Sequence, residues 1–124
     1  MPIRRVAIAL IFAALMAAPS QVAAQSAKTR YERALARDKS LTKTRRAPPL
    51  SQLRAAVRAY EQIVRRYPTS GYADNALYNG ALLALETYRH YQDAVDRDAG
   101  IEMLEWMIDE YPHSSLKADA RKRL

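Results

Sequence analysis

Between Leu53 and Tyr67 the apolar side chains Leu53, Ala56, Val57, Tyr60, Ile63, Val64 and Tyr67 recur at steps of three and four residues, which puts them on one face of an α-helix. The pattern predicts a helix over Ser51 to Arg66, N-capped by the Ser51 hydroxyl and stopped at Pro68. A third helix follows, capped by Thr69 or Ser70 and reaching about His90, with Tyr72, Ala73, Ala76, Leu77, Gly80, Leu83, Ala84 and Tyr88 along one side. Glycine inside a helix costs about 1 kcal/mol relative to alanine. Gly80 therefore points to another helix crossing close to that backbone.

Residues Tyr91 to Asp98 read as an acidic, irregular connector, after which Asp96 or Asp98 caps a fourth helix that ends at Tyr111-Pro112. That helix carries two apolar stripes, Ile101, Leu104, Ile108, Tyr111 and Met103, Trp106, Met107, as expected of a helix packed between two neighbours. Ser114 or Ser115 opens a fifth helix that reaches Leu124. Ahead of all these lies a weakly amphipathic first helix, about Ala27 to Leu41, with Tyr31, Ala34, Leu35 and Asp38 at helical spacing. Lys43 to Pro49 ends it, because Pro48 and Pro49 lack amide donors and force the residues before them to extend.

The second and fourth helices repeat each other. Val57, Glu61, Val64, Tyr67, Pro68, Ser70 and Ala76 match Ile101, Glu105, Ile108, Tyr111, Pro112, Ser114 and Ala120, each pair forty-four positions apart. An amphipathic helix, a proline stop, a hydroxyl and an alanine-rich return helix describe an antiparallel helical hairpin, and stacked hairpins make a solenoid. About three units are normally needed for such a stack, and two are visible here.

The segment Ala59-Tyr60 through Tyr67-Pro68-Thr69-Ser70-Gly71-Tyr72-Ala73-Asp74-Asn75-Ala76-Leu77-Tyr78 resembles the tetratricopeptide hairpins of periplasmic envelope proteins, the BamD-type outer-membrane assembly lipoproteins and the Tol–Pal-associated cell-division coordinators. The likeness covers about Leu50 to Leu124. A closer one is to the tetratricopeptide segment preceding bacterial N-acetylmuramoyl-L-alanine amidases. There an arm like Tyr31-Glu32-Arg33-Ala34-Leu35-Ala36-Arg37, a hairpin like Gly71 to Tyr88 and a Trp-bearing helix ending in Glu-Tyr-Pro occur in the same order. The resemblance implies an all-α solenoid that recruits an envelope or cell-wall protein, or alternatively the truncated targeting segment of a zinc amidase. Two departures limit it: the period exceeds the usual thirty-four residues, with the excess assigned to Tyr91–Asp98, and the lipoprotein's anchoring cysteine is absent. Neither membrane anchoring nor amidase activity is implied.

Residues 1–24 have the layout of a secretory leader, with Arg4 and Arg5, the apolar run Val6 to Ala18, Pro19, and an Ala-x-Ala-like site at Val22-Ala23-Ala24. The expected mature chain starts at Gln25, and the run is too short for a membrane span. Residues 25–49 then form a basic helical arm and proline linker, and 50–124 the hairpin domain, in a periplasmic or secreted protein. At 124 residues there is room for one domain. The formal charge of +7 is concentrated in the arm: eight Lys and Arg against two acids from Lys28 to Arg46, but ten against eleven from Ala47 onward. The export signal argues against nucleic acid as the target of that charge.

No cysteine is present, which excludes disulfides, thiolate nucleophiles and cysteine-ligated metals. His90 and His113 lack zinc-site spacing, and Asp93, Asp96 and Asp98 lack the glycine and terminal glutamate of a calcium loop. The chain therefore reads as a non-enzyme without cofactor or metal. Tyr60, Tyr67, Tyr72 and Trp106 are assigned to the core, while Tyr78, Tyr88 and Tyr91, with Arg33 and Arg37 of the arm, are the candidate partner-binding residues. A fifth helix without a polar capping helix predicts either a homodimer through that C-terminal helix or further sequence beyond it.

Overall fold

A computed structural model describes residues 18–124, with side-chain surroundings from Ser20 onward. Arg4, Arg5 and all but the last residue of the apolar run lie outside the described residues. Five helices and no strand are found among those described: α1 Ala18–Thr42, α2 Leu50–Arg66, α3 Ala73–Tyr91, α4 Ala94–Glu110 and α5 Lys117–Arg123. The described part of the chain is all-helical. None of these helices is long and apolar enough to cross a membrane.

The long helices match the periodicity, but their ends differ from expectation. α1 is already helical at Ala18, the first described residue, rather than beginning near Ala27, and Pro19 lies within it. Ser51 does not cap α2; Pro49 takes that position without a side-chain bond, and its carbonyl accepts from the Gln52 and Leu53 amides at 3.0 and 3.1 Å. Nor does Asp96 or Asp98 cap α4. Asp93 does so, accepting from the Val95 amide at 3.0 Å. The connector from Tyr91 to Asp98 shrinks to Gln92 and Asp93, with Gln92 left-handed at φ 56°, because aspartates in a first helical turn favour the helix rather than break it. The extra length of the repeat therefore lies in helices of 17 and 19 residues.

The repeated Tyr-Pro-x-Ser sequence makes the same turn twice. Tyr67 ends α2 at φ −130°, ψ 59°, and Tyr111 ends α4 at φ −126°, ψ 58°, each donating its amide back to the last helical turn at 2.8 and 2.9 Å. Three residues on, Ser70 and Ser114 donate their amides to those tyrosine carbonyls at 3.1 and 3.0 Å. Their hydroxyls accept from the Tyr72 and Leu116 amides at 3.3 and 3.1 Å. The serines act two residues ahead of the helix caps, Tyr72 and Leu116, rather than as caps themselves.

α2 and α4 lie side by side and run parallel, since Arg54 near the start of one reaches Asp93 and Asp96 at the start of the other, and Arg65 meets Trp106 near their ends. α3 returns against both. Leu53, Ala56, Tyr60, Ile63 and Val64 of α2, Ala76, Leu77 and Ala81 of α3, and Met103, Leu104 and Met107 of α4 form one buried core, completed by Ala34 of α1 and Ala120 of α5. Of the aromatic residues assigned to the core, Tyr60 is fully buried while Tyr67, Tyr72 and Trp106 sit half-buried at its rim.

Gly80 sits where α2, α3 and α4 meet: a β-carbon there would collide with Met103 Cε and lie 3.0 Å from Tyr60 Cβ. Gly100 makes the reciprocal approach, its hypothetical β-carbon 2.8 Å from Leu85 Cγ and 3.1 Å from the Ala81 carbonyl oxygen. Met103 Cε is the end of a flexible chain, whereas the branch point of Leu85 and a backbone oxygen cannot swing away. Gly100→Ala is expected to destabilise by about 1–3 kcal/mol through overpacking, and by more than Gly80→Ala. Urea denaturation of the two variants would measure the difference, and equal stabilities would contradict this packing.

Candidate functional site

Of the five candidate residues, the structure brings Arg33 and Arg37 together and engages the tyrosines elsewhere. Arg33, Arg37 and Arg30 flank a shallow groove between α1 and α2, floored by Ala34, Ala59 and Ile63 and bordered by Gln62. An adjoining depression adds Arg65 and Arg66. None of the three tyrosines lines either depression. Tyr78 packs against the core from α3, and Tyr88 lies beneath the Arg97 guanidinium, 5.6 Å from its ring centre. The Tyr91 hydroxyl donates to the Pro48 carbonyl and fastens the loop between α1 and α2.

Arg30 and the α2 arginines were not singled out by sequence. The signal for Arg30 was present, since 30, 33 and 37 share one helical stripe. Arg65 and Arg66 join only through the packing of α2 on α1.

The arm itself is held in place by polar bonds to aromatic rings. Tyr31 lies against Tyr60 and Tyr72 with ring centres 6.4 and 5.3 Å away, and its hydroxyl accepts from Asn79 Nδ2 at 2.9 Å. The buried Tyr60 donates its hydroxyl to Asp38 Oδ2 at 2.8 Å. Burial pushes the Asp38 carboxyl above the usual carboxylate range, an effect that the Tyr60 bond partly offsets. Burial, and then the bond to Asp38, push the Tyr60 phenol well above its ordinary value. Burial raises Tyr31 as well.

Opposite the arm, Arg54 holds α4 against α2. Its Nε and Nη2 donate to the two oxygens of the buried Asp96 at 3.0 and 2.8 Å, and Nη2 also reaches Asp93 at 2.9 Å. The Asp93 carboxyl is held low by the Val95 amide and then by Arg54. Asp93 and Asp96 are thus occupied in fastening helices together. Among the described residues, no group of three or more acidic or histidine side chains is placed to hold a metal ion.

No family model matches this chain, and neither a curated protein nor a solved structure is significantly similar to it.

Two measurements follow from these bonds. A phenol raised on folding contributes stability that is complete below its unfolded value near 10 and is lost as pH rises beyond it. Unfolding free energy should therefore fall above pH 10, and less steeply in Tyr60→Phe, which at neutral pH costs about 1.5–3 kcal/mol for the lost bond to a charged acceptor. Equal alkaline slopes in the two proteins would contradict the burial of that hydroxyl. Arg54→Ala is expected to lower the melting temperature more than Asp93→Ala, because it strands the buried Asp96 carboxylate while Asp93 faces water. Calorimetry of the two variants decides it.

Proposed function

We propose that the chain is a non-enzymatic interaction module of the bacterial envelope, a tetratricopeptide-like stack of hairpins that is exported and recruits an envelope or cell-wall protein. The observation that carries the reading is the turn that recurs with one geometry and docks on its predecessor: the Tyr111 hydroxyl donates to the Pro68 carbonyl at 2.6 Å, and the Ser114 hydroxyl donates to Asp74 at 2.6 Å. Contacts between each unit and the one before it are what hold helical repeat stacks together. Such stacks bind through surfaces rather than through reacting groups.

Export is supported by where burial begins. Ser20 to Gln25 are exposed, Ser26 is half-buried and Ala27 is the first fully buried residue of α1. Removing residues 1–24 would take away no buried side chain among the described residues.

Two outcomes are expected in the producing bacterium. Mass spectrometry of the accumulated protein should find Gln25 as its N-terminus in the fraction released by osmotic shock. A photo-crosslinking aromatic residue in place of Tyr78 or Tyr88 should yield an adduct with a discrete envelope protein, while the same group at the outward-facing Lys39 should not. An unprocessed chain retained in the cytoplasm would refute the export reading, and identical adduct patterns at all three positions would refute the partner surface.

A further inference from the structure

Two exposed stripes on this chain have the same pitch and opposite charge. Arg30, Arg33 and Arg37 occupy one edge of α1, and Glu102, Glu105 and Asp109 occupy the outer face of α4, both at steps of three and then four residues. Each spans about 10.5 Å along its helix at 1.5 Å per residue. All six side chains belong to exposed residues, and none takes part in an ion pair among the described residues. The stripes do not meet within one chain, because α1 packs on α2 and α3 while α4 packs on α3 and α5.

Arg65 shows that they share a surface. It lines the same depression as Arg30, and its guanidinium lies 5.1 Å from the ring of Trp106, whose neighbours on the α4 surface are Glu102 four residues before it and Asp109 three residues after it. One face of the molecule therefore runs from the basic edge of α1, across α2, to the acidic outer face of α4. A face that is basic on one side and acidic on the other complements itself under a two-fold rotation, which brings each stripe against its opposite and closes the assembly at two copies. Every cation of the α1 stripe is an arginine, whose planar fork pairs with a carboxylate through two parallel hydrogen bonds.

We propose that two copies of this chain associate face to face about an axis along α2, the Arg30, Arg33 and Arg37 stripe of one protomer seated against the Glu102, Glu105 and Asp109 stripe of its partner. This differs from a dimer through the C-terminal helix, and it stands whether or not the envelope reading holds. It leaves Tyr78 and Tyr88 of α3 available to another protein.

Sedimentation equilibrium of the full chain tests it. A dimer is expected at low ionic strength, loosening as salt screens the two seams. The triple variants R30E/R33E/R37E and E102K/E105K/D109K should each associate more weakly by a hundredfold or more, on the order expected when like charges face each other across an interface. Mixed in equal amounts they should form a heterodimer, since every seam then joins opposite charges. A check independent of the charge reversals uses the absence of native cysteine: in a chain carrying both R33C and E105C, a flexible bis-maleimide long enough to span an arginine–carboxylate seam should link the two protomers covalently. A monomer at low ionic strength, a dimer that neither triple variant weakens, or a doubly substituted chain that yields no covalent dimer would overturn the proposal. Should the wild-type chain be monomeric while acidic peptides bind at Arg33, the stripe belongs to a different partner and the self-association is wrong.

Discussion

The missing side chains at Gly80 and Gly100 set the distances on which the rest of the structure depends. α3 lies against α2 and α4 at once, and it can do so only because a β-carbon at either glycine would fall inside the contact distance of a neighbour. That closeness puts Tyr60 and Met103 on either side of Gly80 and allows three helices to share one layer of core side chains. α2 and α4 run parallel on either side of that approach, the placement in which Arg54 reaches Asp96 and Tyr111 reaches Pro68. The polar bonds refine an arrangement that close packing has already determined.

Two kinds of polar contact finish the assembly. At one end, Arg54 satisfies a buried carboxylate; at the other, tyrosine and serine hydroxyls link successive turns. The α1 arm is fastened by a third set, in which Tyr31 and Asp38 reach phenol and amide groups of the hairpin. In each set a polar side chain near the edge of the core is satisfied by a partner from another segment of the chain. No buried side-chain nitrogen or oxygen among the described residues is left without a hydrogen-bond partner.

The long apolar stripe of α2, the repeated Tyr-Pro-x-Ser turn and the close approach at Gly80 were all legible in the sequence, because each is a local pattern with a local cause. Helix caps were not. Ser51, Thr69 and Asp96 have the chemistry of a cap, but whether such a group bonds its own backbone or a distant side chain depends on what packing brings near it. Asp96 illustrates this: its partner Arg54 is forty-two positions away. The acidic run after Tyr91 resembled a loop by composition, although aspartates also suit the first turn of a helix. Within the candidate site, Arg33 and Arg37 could be named from their stripe. That Tyr91 fastens a loop, and that α2 supplies Arg65 and Arg66, follows only from tertiary contacts.

Each helix touches mainly its neighbours in sequence, so most native contacts close short loops. A chain with this topology reaches its native state through local steps, and helical arrays of low contact order fold in microseconds to milliseconds. The same topology makes stability uneven along the molecule. α5, seven residues long and anchored in the core through Ala120, has the least to lose by opening, whereas α3 is braced on two sides. Amide exchange would accordingly run fast at that end and slow at the centre, and local opening of the last hairpin would leave the core between α2 and α3 intact.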